Sequence, residues 1–356
     1  MNVPLLDLQL QYAALQAELE TATLKVLRET RYILGPEVGE LEKALAGYTG
    51  AKHAIACASG SDALLLALMA LDVGAGDEVI TTPFTFFATA SAIARLGAKP
   101  VFVDIEPRAF NINPDGIKAK ITKRTKAILP VHLFGQCAEM DAILAFGLPV
   151  VEDAAQAIGA KYKNRQAGTM GTIGTFSFFP SKNLGGAGDG GALTTNDDRL
   201  AARLRALRVH GSERRYYHDE IGINSRLDTL QAALLLVKLR HLDAWSQARR
   251  DHAAQYDSQL DKTVVTPWRN PDCTHIYNQY TIRSTRRDAL REQLTKAGIG
   301  SEVYYPVPLH LQNCFKYLGH KTGDFPVAER AAAEVLSLPI FPELTDAQID
   351  YVIKTI

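Results

Sequence analysis

Residues 176–191 read Phe-Ser-Phe-Phe-Pro-Ser-Lys-Asn-Leu-Gly-Gly-Ala-Gly-Asp-Gly-Gly, with one lysine, Lys182, between an aromatic run and a glycine-rich turn. Glycines allow backbone and ligand to approach closely. Apolar neighbours disfavour the ammonium form of a lysine and leave an amine that can form a Schiff base. An ordinary exposed loop lysine explains the stretch about equally well. The pattern is not a Walker loop, whose glycine directly precedes the lysine, and it is an incomplete dinucleotide fingerprint.

Upstream of this stretch, residues 148–156 read Leu-Pro-Val-Val-Glu-Asp-Ala-Ala-Gln, a buried strand that ends in two carboxylates. Successive side chains of a strand point to opposite faces, so one of Glu152 and Asp153 can face a ligand. A carboxylate beneath a pyridine nitrogen keeps that nitrogen protonated and makes the ring an electron sink. The alternative is that Asp153 caps a following helix.

Two segments nearer the start add further candidate contacts. Residues 57–62 (Cys-Ala-Ser-Gly-Ser-Asp) join a strand to a helix, where free N–H groups and hydroxyls bind phosphate. A plain helix cap made by Ser59 or Ser61 is the alternative. Residues 82–87 place three aromatic side chains, Phe84, Phe86 and Phe87, at a strand end. One of them could stack on a flat heterocycle, although core packing explains two of the three equally well. Together the four segments supply every contact that pyridoxal phosphate requires.

The periodicity predicts an α/β protein. Apolar runs alternate with helical segments, which argues for a largely parallel sheet covered on both faces. The predicted strands are residues 53–57, 78–81, 100–103, 126–131 and 149–151. The predicted helices are residues 37–48, 60–71, 228–239 and 242–260, followed by a strand at 277–283 and helices at 287–297, 326–336 and 345–356. The pattern of apolar runs and helical segments changes near residues 263–268. We predict a large domain, residues 1–245, and a small C-terminal α+β domain, residues 246–356.

Charge and cysteine content narrow the function. Lys plus Arg and Asp plus Glu both total 39, so no basic field is present to attract nucleic acid or an anionic membrane. The four cysteines are scattered without a C-x-x-C pair, which predicts reduced thiols and no metal site. We see no basic leader segment and no apolar run of about 18 residues, and we expect a cytoplasmic enzyme of small-molecule chemistry.

Five segments together resemble the DegT/DnrJ/StrS family of sugar aminotransferases, and the similarity spans essentially the whole chain. They are residues 59–63 (Ser-Gly-Ser-Asp-Ala), 82–86 (Thr-Pro-Phe-Thr-Phe), 151–156 (Val-Glu-Asp-Ala-Ala-Gln), 176–182 and 222–228 (Gly-Ile-Asn-Ser-Arg-Leu-Asp). The resemblance implies the fold type I architecture of aspartate aminotransferase, with a mainly parallel seven-stranded sheet. It also implies a homodimer with both active sites at the subunit interface.

The resemblance assigns roles to individual cofactor residues. Lys182 matches the Schiff-base lysine, Asp153 the partner of the pyridine nitrogen, and Gln156 the residue beside the ring hydroxyl. The remaining cofactor residues are the phosphate ligands Gly60, Ser61 and Ser177, the stacking Phe86, and Asn224, which reaches the phosphate of the neighbouring subunit.

The same resemblance places four residues where the family meets its sugar nucleotide, namely His210, Arg226, Tyr304 and His310. Two of them have equally good alternatives. His210 could only close a turn with Gly211, and Arg226 could form a surface or interface ion pair.

The implied reaction uses pyridoxal 5'-phosphate, which becomes pyridoxamine 5'-phosphate between two half-reactions. An amino donor, glutamate in most relatives, supplies the amino group to a keto group of a UDP- or dTDP-linked sugar, while Lys182 moves the proton. The lysine turn resembles the branch acting on 3-keto sugars, in amino-sugar and polysaccharide biosynthesis. Alternatives are a dehydratase of the same fold and a catalytically silent cofactor-binding regulator. Lys182 argues against the histidine-bearing dehydratases, the scattered cysteines against the iron-sulfur ones, and the neutral charge against DNA binding.

Overall fold

The computed structural model describes residues 1–214, 216–260 and 264–356. The helices are α1 (Leu8–Glu29), α2 (Pro36–Thr49), α3 (Gly60–Ala70), α4 (Ala88–Arg95), α5 (Met140–Leu144), α6 (Asp198–Leu207), α7 (Thr229–Leu239), α8 (Leu242–Gln259), α9 (Arg287–Lys296), α10 (Pro326–Glu334) and α11 (Asp346–Thr355). The strands are β1 (His53–Cys57), β2 (Glu78–Thr81), β3 (Lys99–Phe102), β4 (Thr125–Ile128), β5 (Val151–Asp153), β6 (Lys161–Tyr162), β7 (Arg165–Gln166), β8 (Ile173–Ser177), β9 (Gly191–Thr195), β10 (Cys273–Thr274), β11 (Tyr280–Arg283) and β12 (Val335–Leu338).

Local sequence signals set where several helices begin. Asp7 and Asp228 cap α1 and α7 by accepting a hydrogen bond from a backbone N–H of the first turn. Pro36 occupies the first turn of α2, where its missing N–H costs nothing. Thr345 and Gln348 form a reciprocal capping box at the start of α11. The predicted boundaries of α2, α7 and α11 are close to those of the structure for this reason, whereas the sequence analysis predicted no helix at α1, α4, α5 or α6.

A mixed sheet forms the centre of the larger part of the chain. Four strands pair in the order β1-β9-β8-β5 and three in the order β3-β2-β4. Parallel bridges from Ile128 to Val150 and from Val131 to Asp153 join the two groups. The described residues therefore give seven strands in the order β1-β9-β8-β5-β4-β2-β3, in which β9 alone runs antiparallel to its neighbours. The predicted α/β fold with a mainly parallel seven-stranded sheet is confirmed.

The carboxyl ends of the parallel strands lie along one edge of this sheet. The first residues beyond β1, β2, β5 and β8 are therefore neighbours in space, although they are far apart in sequence. Antiparallel β9 begins at the same edge, because Gly191 pairs with both Cys57 and Ser177. Helices α3 and α4 pack against the sheet through apolar faces that include Leu66 and Ile93.

The C-terminal part combines the antiparallel pair β11–β12 with helices α9, α10 and α11. Its core, which includes Tyr256, Tyr280 and Phe341, is continuous with Phe84 and Phe102 of the larger part. The sequence analysis missed β12 and assigned its first residues to the preceding helix. The predicted domain boundary after residue 245 falls within α8, which is one continuous helix, and the division itself stays a prediction. The predicted change of sequence pattern begins at Thr263, which lies outside the described residues.

Small antiparallel pairings of β6 with β7 and β10 attach the C-terminal part to the segment after β5. The four cysteines are free thiols, of which Cys57, Cys137 and Cys273 are buried and Cys314 is exposed. Within the ranges given above, no helix has the length and apolar character needed to cross a bilayer.

Candidate active site

Lys182 lies in a tight turn between β8 and β9. The turn is closed by backbone hydrogen bonds from Lys182 N–H to the Phe179 carbonyl (2.9 Å) and from Gly186 N–H to the Phe178 carbonyl (2.8 Å). Gly185 is required there, since a Cβ atom would lie 2.3 Å from the Pro180 carbonyl oxygen. Burial lowers the pKa of the Lys182 ammonium to about 8, against the opposing attraction of Asp153. The sequence prediction of an amine made available by desolvation agrees with this environment.

Helix α7 supports the lysine turn from outside. The Gln231 side-chain oxygen accepts the Ala187 N–H at 2.8 Å, and the Lys238 ammonium donates to the Gly185 carbonyl at 2.8 Å. The sequence analysis missed both residues, because their polar character on a helix gives no sign of which turn they contact. They fix the backbone from which Lys182 projects.

Asp153 is the last residue of β5 and is buried beside Lys182. Its Oδ2 accepts a hydrogen bond from the Thr89 hydroxyl at 2.8 Å, and its Oδ1 accepts the Ala155 N–H at 3.2 Å. Burial raises the pKa of Asp153, while the Thr89 hydrogen bond and the charge of Lys182 oppose that rise. No helix begins at Asp153 in the described residues, so the alternative role as a helix cap does not apply. Thr89 was missed because nothing in a helix sequence marks a threonine as the partner of a distant carboxylate.

Glu152 points to the other face of the sheet, as the strand alternation predicts. It accepts hydrogen bonds from the N–H groups of Gly168, Met170 and Gly171 and contacts His132 Nε2 at 2.8 Å. The Ala138 N–H donates to His132 Nδ1, so the ring proton on Nε2 faces Glu152. This carboxylate is satisfied internally and has a structural role.

The turn between β1 and α3 forms an anion cradle. Ser59 caps the helix by accepting the Asp62 N–H at 3.1 Å, as its structural alternative proposed. Gly60 contacts Ser177 so closely that a Cβ on it would lie 2.6 Å from the Ser177 Cβ. Ser61 is exposed in the first turn of α3. The free N–H groups of this helix start therefore meet the end of β8, an arrangement that binds phosphate.

The side chains of Phe86 and Gln156 lie at the same carboxyl edge of the sheet. Phe86 is 56% exposed, whereas Phe84 is fully buried in the core, so Phe86 is free to cover a flat ligand. Gln156 Oε1 accepts the Phe134 N–H at 2.8 Å, and its Nε2 donates to the Tyr305 hydroxyl at 3.1 Å. The Tyr305 ring lies 6.1 Å from that of Phe86. The sequence analysis selected Tyr304 rather than Tyr305, because two adjacent tyrosines give no sign of which one contacts Gln156.

Three other predicted residues lie on a separate pair of segments. Val209 and Asn224 form an antiparallel bridge, and His210 N–H donates to the Ile223 carbonyl at 3.0 Å. His210 has a φ of +64° before Gly211, so it does close a turn, as its alternative stated. No hydrogen bond in the described residues joins the side chains of His210, Asn224 or Arg226 to those of Lys182, Asp153 or Gln156. The segment that carries Asn224 and Arg226 does reach the start of the phosphate-binding turn, since the Ala58 N–H donates to the Ser225 hydroxyl at 3.2 Å.

The last two predicted substrate residues have different outcomes. Tyr304 and Ser181 line the same small cavity. Because Ser181 directly precedes Lys182, Tyr304 lies near the candidate site. The substrate role of His310 stays a prediction. Its side chain is completely buried, and its Nε2 contacts Glu329 at 3.0 Å. His310 is enclosed by packing against Phe325 rather than presented to a ligand.

The residues present fit pyridoxal phosphate. Gly60 leaves a cradle that a Cβ would fill, and Asp153 is a buried carboxylate that a protonated ring nitrogen would neutralise. Lys182, whose charge interacts with that of Asp153, supplies an amine of lowered pKa. A sheet of this order with this lysine and carboxylate at its carboxyl edge defines the fold type I class of transferases.

Within that class, the chain belongs to the DegT/DnrJ/EryC1/StrS aminotransferase family, whose model matches residues 14–356. It is 55% identical to the "Pleiotropic regulatory protein" of Geobacillus stearothermophilus, covering 100% of this chain and 98% of that one. It is 47% identical to UDP-2-acetamido-2-deoxy-3-oxo-D-glucuronate aminotransferase of Pseudomonas aeruginosa, over 98% and 97% of the two chains. The structure of S. venezuelae DesV, solved in complex with a ketimine intermediate, superposes with a TM-score of 0.97 at 44% identity, over 99% and 97% of the chains.

Proposed function

We propose that this enzyme uses pyridoxal 5'-phosphate to move the amino group of glutamate onto the C3 keto group of a UDP- or dTDP-linked sugar. The observation that carries the proposal is a single turn holding Lys182, with a pKa of about 8, beside the buried Asp153. The relative from P. aeruginosa acts, by its name, on a UDP-linked 3-oxo sugar, which supports this acceptor class. The product is an amino sugar for polysaccharide or glycoside biosynthesis.

Each residue has a distinct part in the proposed reaction. The bound cofactor supplies an electron sink, which the negative charge of Asp153 sustains by keeping the ring nitrogen protonated. Lys182 would anchor the cofactor and, once released, its neutral Nζ would take the proton from the donor α-carbon and deliver it to the cofactor carbon beside the transferred nitrogen. Gln156, fixed by the Phe134 N–H, orients the ring through its hydroxyl side. Gly60 and Ser177, with Ser61, hold the phosphate.

We also propose that the enzyme is a homodimer with shared sites. Helix α1 exposes the large apolar residues Leu8, Leu10, Tyr12, Leu24 and Leu27. An apolar groove of about 690 Å³ between α1 and α7 continues to Pro180 and Ala187 beside the lysine turn. A second copy seated on this surface would bury the apolar residues and stand next to the active site. Asn224 and Arg226, for which the described residues show no side-chain hydrogen bond to Lys182, would then serve the site of the partner subunit.

A regulatory role is the second candidate, because the relative from G. stearothermophilus is named a regulatory protein. The complete set of Lys182, Asp153 and Gln156 favours turnover, since a sensor needs no amine of lowered pKa. A cytoplasmic location is part of the proposal and is supported by the four unpaired thiols.

The test is the visible absorption of the purified enzyme with pyridoxal phosphate, recorded before and after glutamate and then after a UDP-linked 3-keto sugar. We expect the band of the covalently attached cofactor to disappear with glutamate and to return with the sugar. Lys182→Met is the matched control and should never show the band. A band that ignores glutamate would refute the aminotransferase proposal and favour a dehydratase or a sensor.

A further inference from the structure

Strand β1 is an edge strand whose outer side is covered by side chains. It pairs with β9 on one side only. On the other side, the Ala56 N–H donates to Glu42 Oε1 at 3.0 Å, and the Ala56 carbonyl accepts from Arg208 at 2.7 Å. Two residues further on, the Ala58 N–H donates to the Ser225 hydroxyl oxygen at 3.2 Å. The last of these hydrogen bonds along the edge therefore goes to Ser225. It lies directly before the turn between β1 and α3, which we call the phosphate turn.

Ser225 is held firmly in this position. Its side chain is completely buried, and its own N–H donates to the Arg208 carbonyl at 2.9 Å. Arg208 is anchored in turn by its ion pair with Glu42. Ser225 is thus one member of a network that links α2, the end of β1 and the segment after α6.

The neighbours of Ser225 are the residues expected to act on another subunit. Asn224 on one side is exposed and Arg226 on the other is half-buried, while Ser225 between them is buried. This alternation points Ser225 into its own sheet edge and Asn224 away from it. A shift of Ser225 would displace Asn224 and Arg226 with it, because the three are consecutive.

We propose that Ser225 is a positioning residue for two active sites at once. Through Ala58 it fixes the phosphate turn of its own protomer, and through the backbone it aims Asn224 and Arg226 at the site of the partner subunit. This inference rests on the proposed homodimer with shared sites. Loss of the Ser225 hydroxyl would therefore loosen the phosphate turn of one site and misplace Asn224 and Arg226 at the other.

The experiment uses dimers that have a single loading site. Two tagged forms of the chain are co-expressed, one carrying Lys182→Ala, and the mixed dimer is isolated through both tags. Ser225→Ala is placed either on the chain that retains Lys182 (cis) or on the chain that carries Lys182→Ala (trans). Pyridoxal phosphate is titrated, and borohydride reduction followed by mass spectrometry measures the fraction attached to Lys182. Asn224→Ala is tested in the same two arrangements.

We expect Ser225→Ala to weaken loading of Lys182 in both arrangements, by about five- to tenfold each, as for one lost neutral hydrogen bond. Asn224→Ala should weaken loading only in trans. Ser225→Thr keeps the hydroxyl oxygen and should load within about twofold of wild type.

The outcomes separate this inference from the proposed function. If Asn224→Ala acts in trans while Ser225→Ala acts only in cis, the shared site stands and the dual role of Ser225 is overturned. If Asn224→Ala acts only in cis, the shared site itself fails. Equal losses in Ser225→Ala and Ser225→Thr would mean that packing, not the hydroxyl, is responsible. Should Ser225→Ala fail to fold, Ser225→Cys, with a weaker acceptor of similar size, replaces it, and loading unchanged in trans would equally overturn the inference.

Discussion

Lys182 should make the cofactor-free enzyme less stable at neutral pH than a variant without its charge. Its ammonium has a pKa of about 8 in the folded protein, against an ordinary value of 10.5, because burial disfavours the charged form. At 1.36 kcal/mol per pKa unit, this difference corresponds to about 3 kcal/mol. Lys182→Met keeps the length of the side chain and removes the charge. We therefore expect the variant to be more stable than wild type by about 3 kcal/mol below pH 8.

The sign of the pH dependence follows from proton binding. Between pH 8 and pH 10.5 the unfolded chain retains the Lys182 proton while the folded chain has lost it, so stability rises with pH in this window. The difference between wild type and Lys182→Met should shrink across the same window and vanish above it. At pH 7, about one Lys182 in ten is already a neutral amine, roughly 300-fold more than at the ordinary pKa. The burial that destabilises the charged form of Lys182 therefore also supplies the reactive neutral amine.

The assay is urea unfolding of the two apoenzymes at equal protein concentration, at pH 7.5, 9 and 10, followed by circular dichroism. Equal concentrations are needed because the stability of any oligomer depends on concentration. A constant stability difference across these pH values would refute the reasoning. So would a Lys182→Met variant less stable than wild type at pH 7.5.

Three further predictions concern the surroundings of Lys182. Thr89→Val removes the hydroxyl that donates to Asp153 and should lower kcat/KM about tenfold. Thr85→Val, whose hydroxyl contacts that of Thr89 in the described residues, should lower kcat/KM less. Equal losses in the two variants would contradict a direct role of the Thr89 hydroxyl. Gly60→Ala places a Cβ 2.6 Å from a serine Cβ and should weaken cofactor binding more than tenfold in an equilibrium titration, while Gly39→Ala, with nothing within 4 Å, should leave it unchanged; normal binding by Gly60→Ala would exclude the cradle. His310→Ala should lower the free energy of unfolding by about 2–4 kcal/mol in urea titrations without changing the KM for the sugar, and a raised KM would restore the substrate role that its burial argues against.

Several elements follow from the sequence because each rests on a local rule, while the roles of the cofactor residues stay predictions. β1 and β2 have the predicted bounds, since short apolar runs between turn residues leave little choice of register. Strand alternation correctly sent Glu152 and Asp153 to opposite faces. The conjunction of Gly60, Asp153 and Lys182 pointed to one edge of the sheet because parallel strands bring their carboxyl ends together.

Contacts between distant segments were not predictable in the same way. The partners Thr89, Gln231 and Tyr305 are set by tertiary packing, and no local pattern distinguishes them from other polar residues on helices and loops. The burial of His310 was equally hidden, because a sequence motif gives position along the chain but not burial. β12 continues directly from α10, so no turn residue marks the change of structure.

Transfer of a labelled nitrogen tests the central claim most directly. The enzyme with pyridoxal phosphate is incubated with ¹⁵N-glutamate and a UDP-linked 3-keto sugar, and the sugar product is examined by mass spectrometry and NMR. We predict one ¹⁵N atom bonded to C3 of the sugar, and none when Lys182→Met replaces the wild-type enzyme. A sugar that contains no ¹⁵N, or that is labelled equally by the Lys182→Met variant, would contradict amino transfer through Lys182.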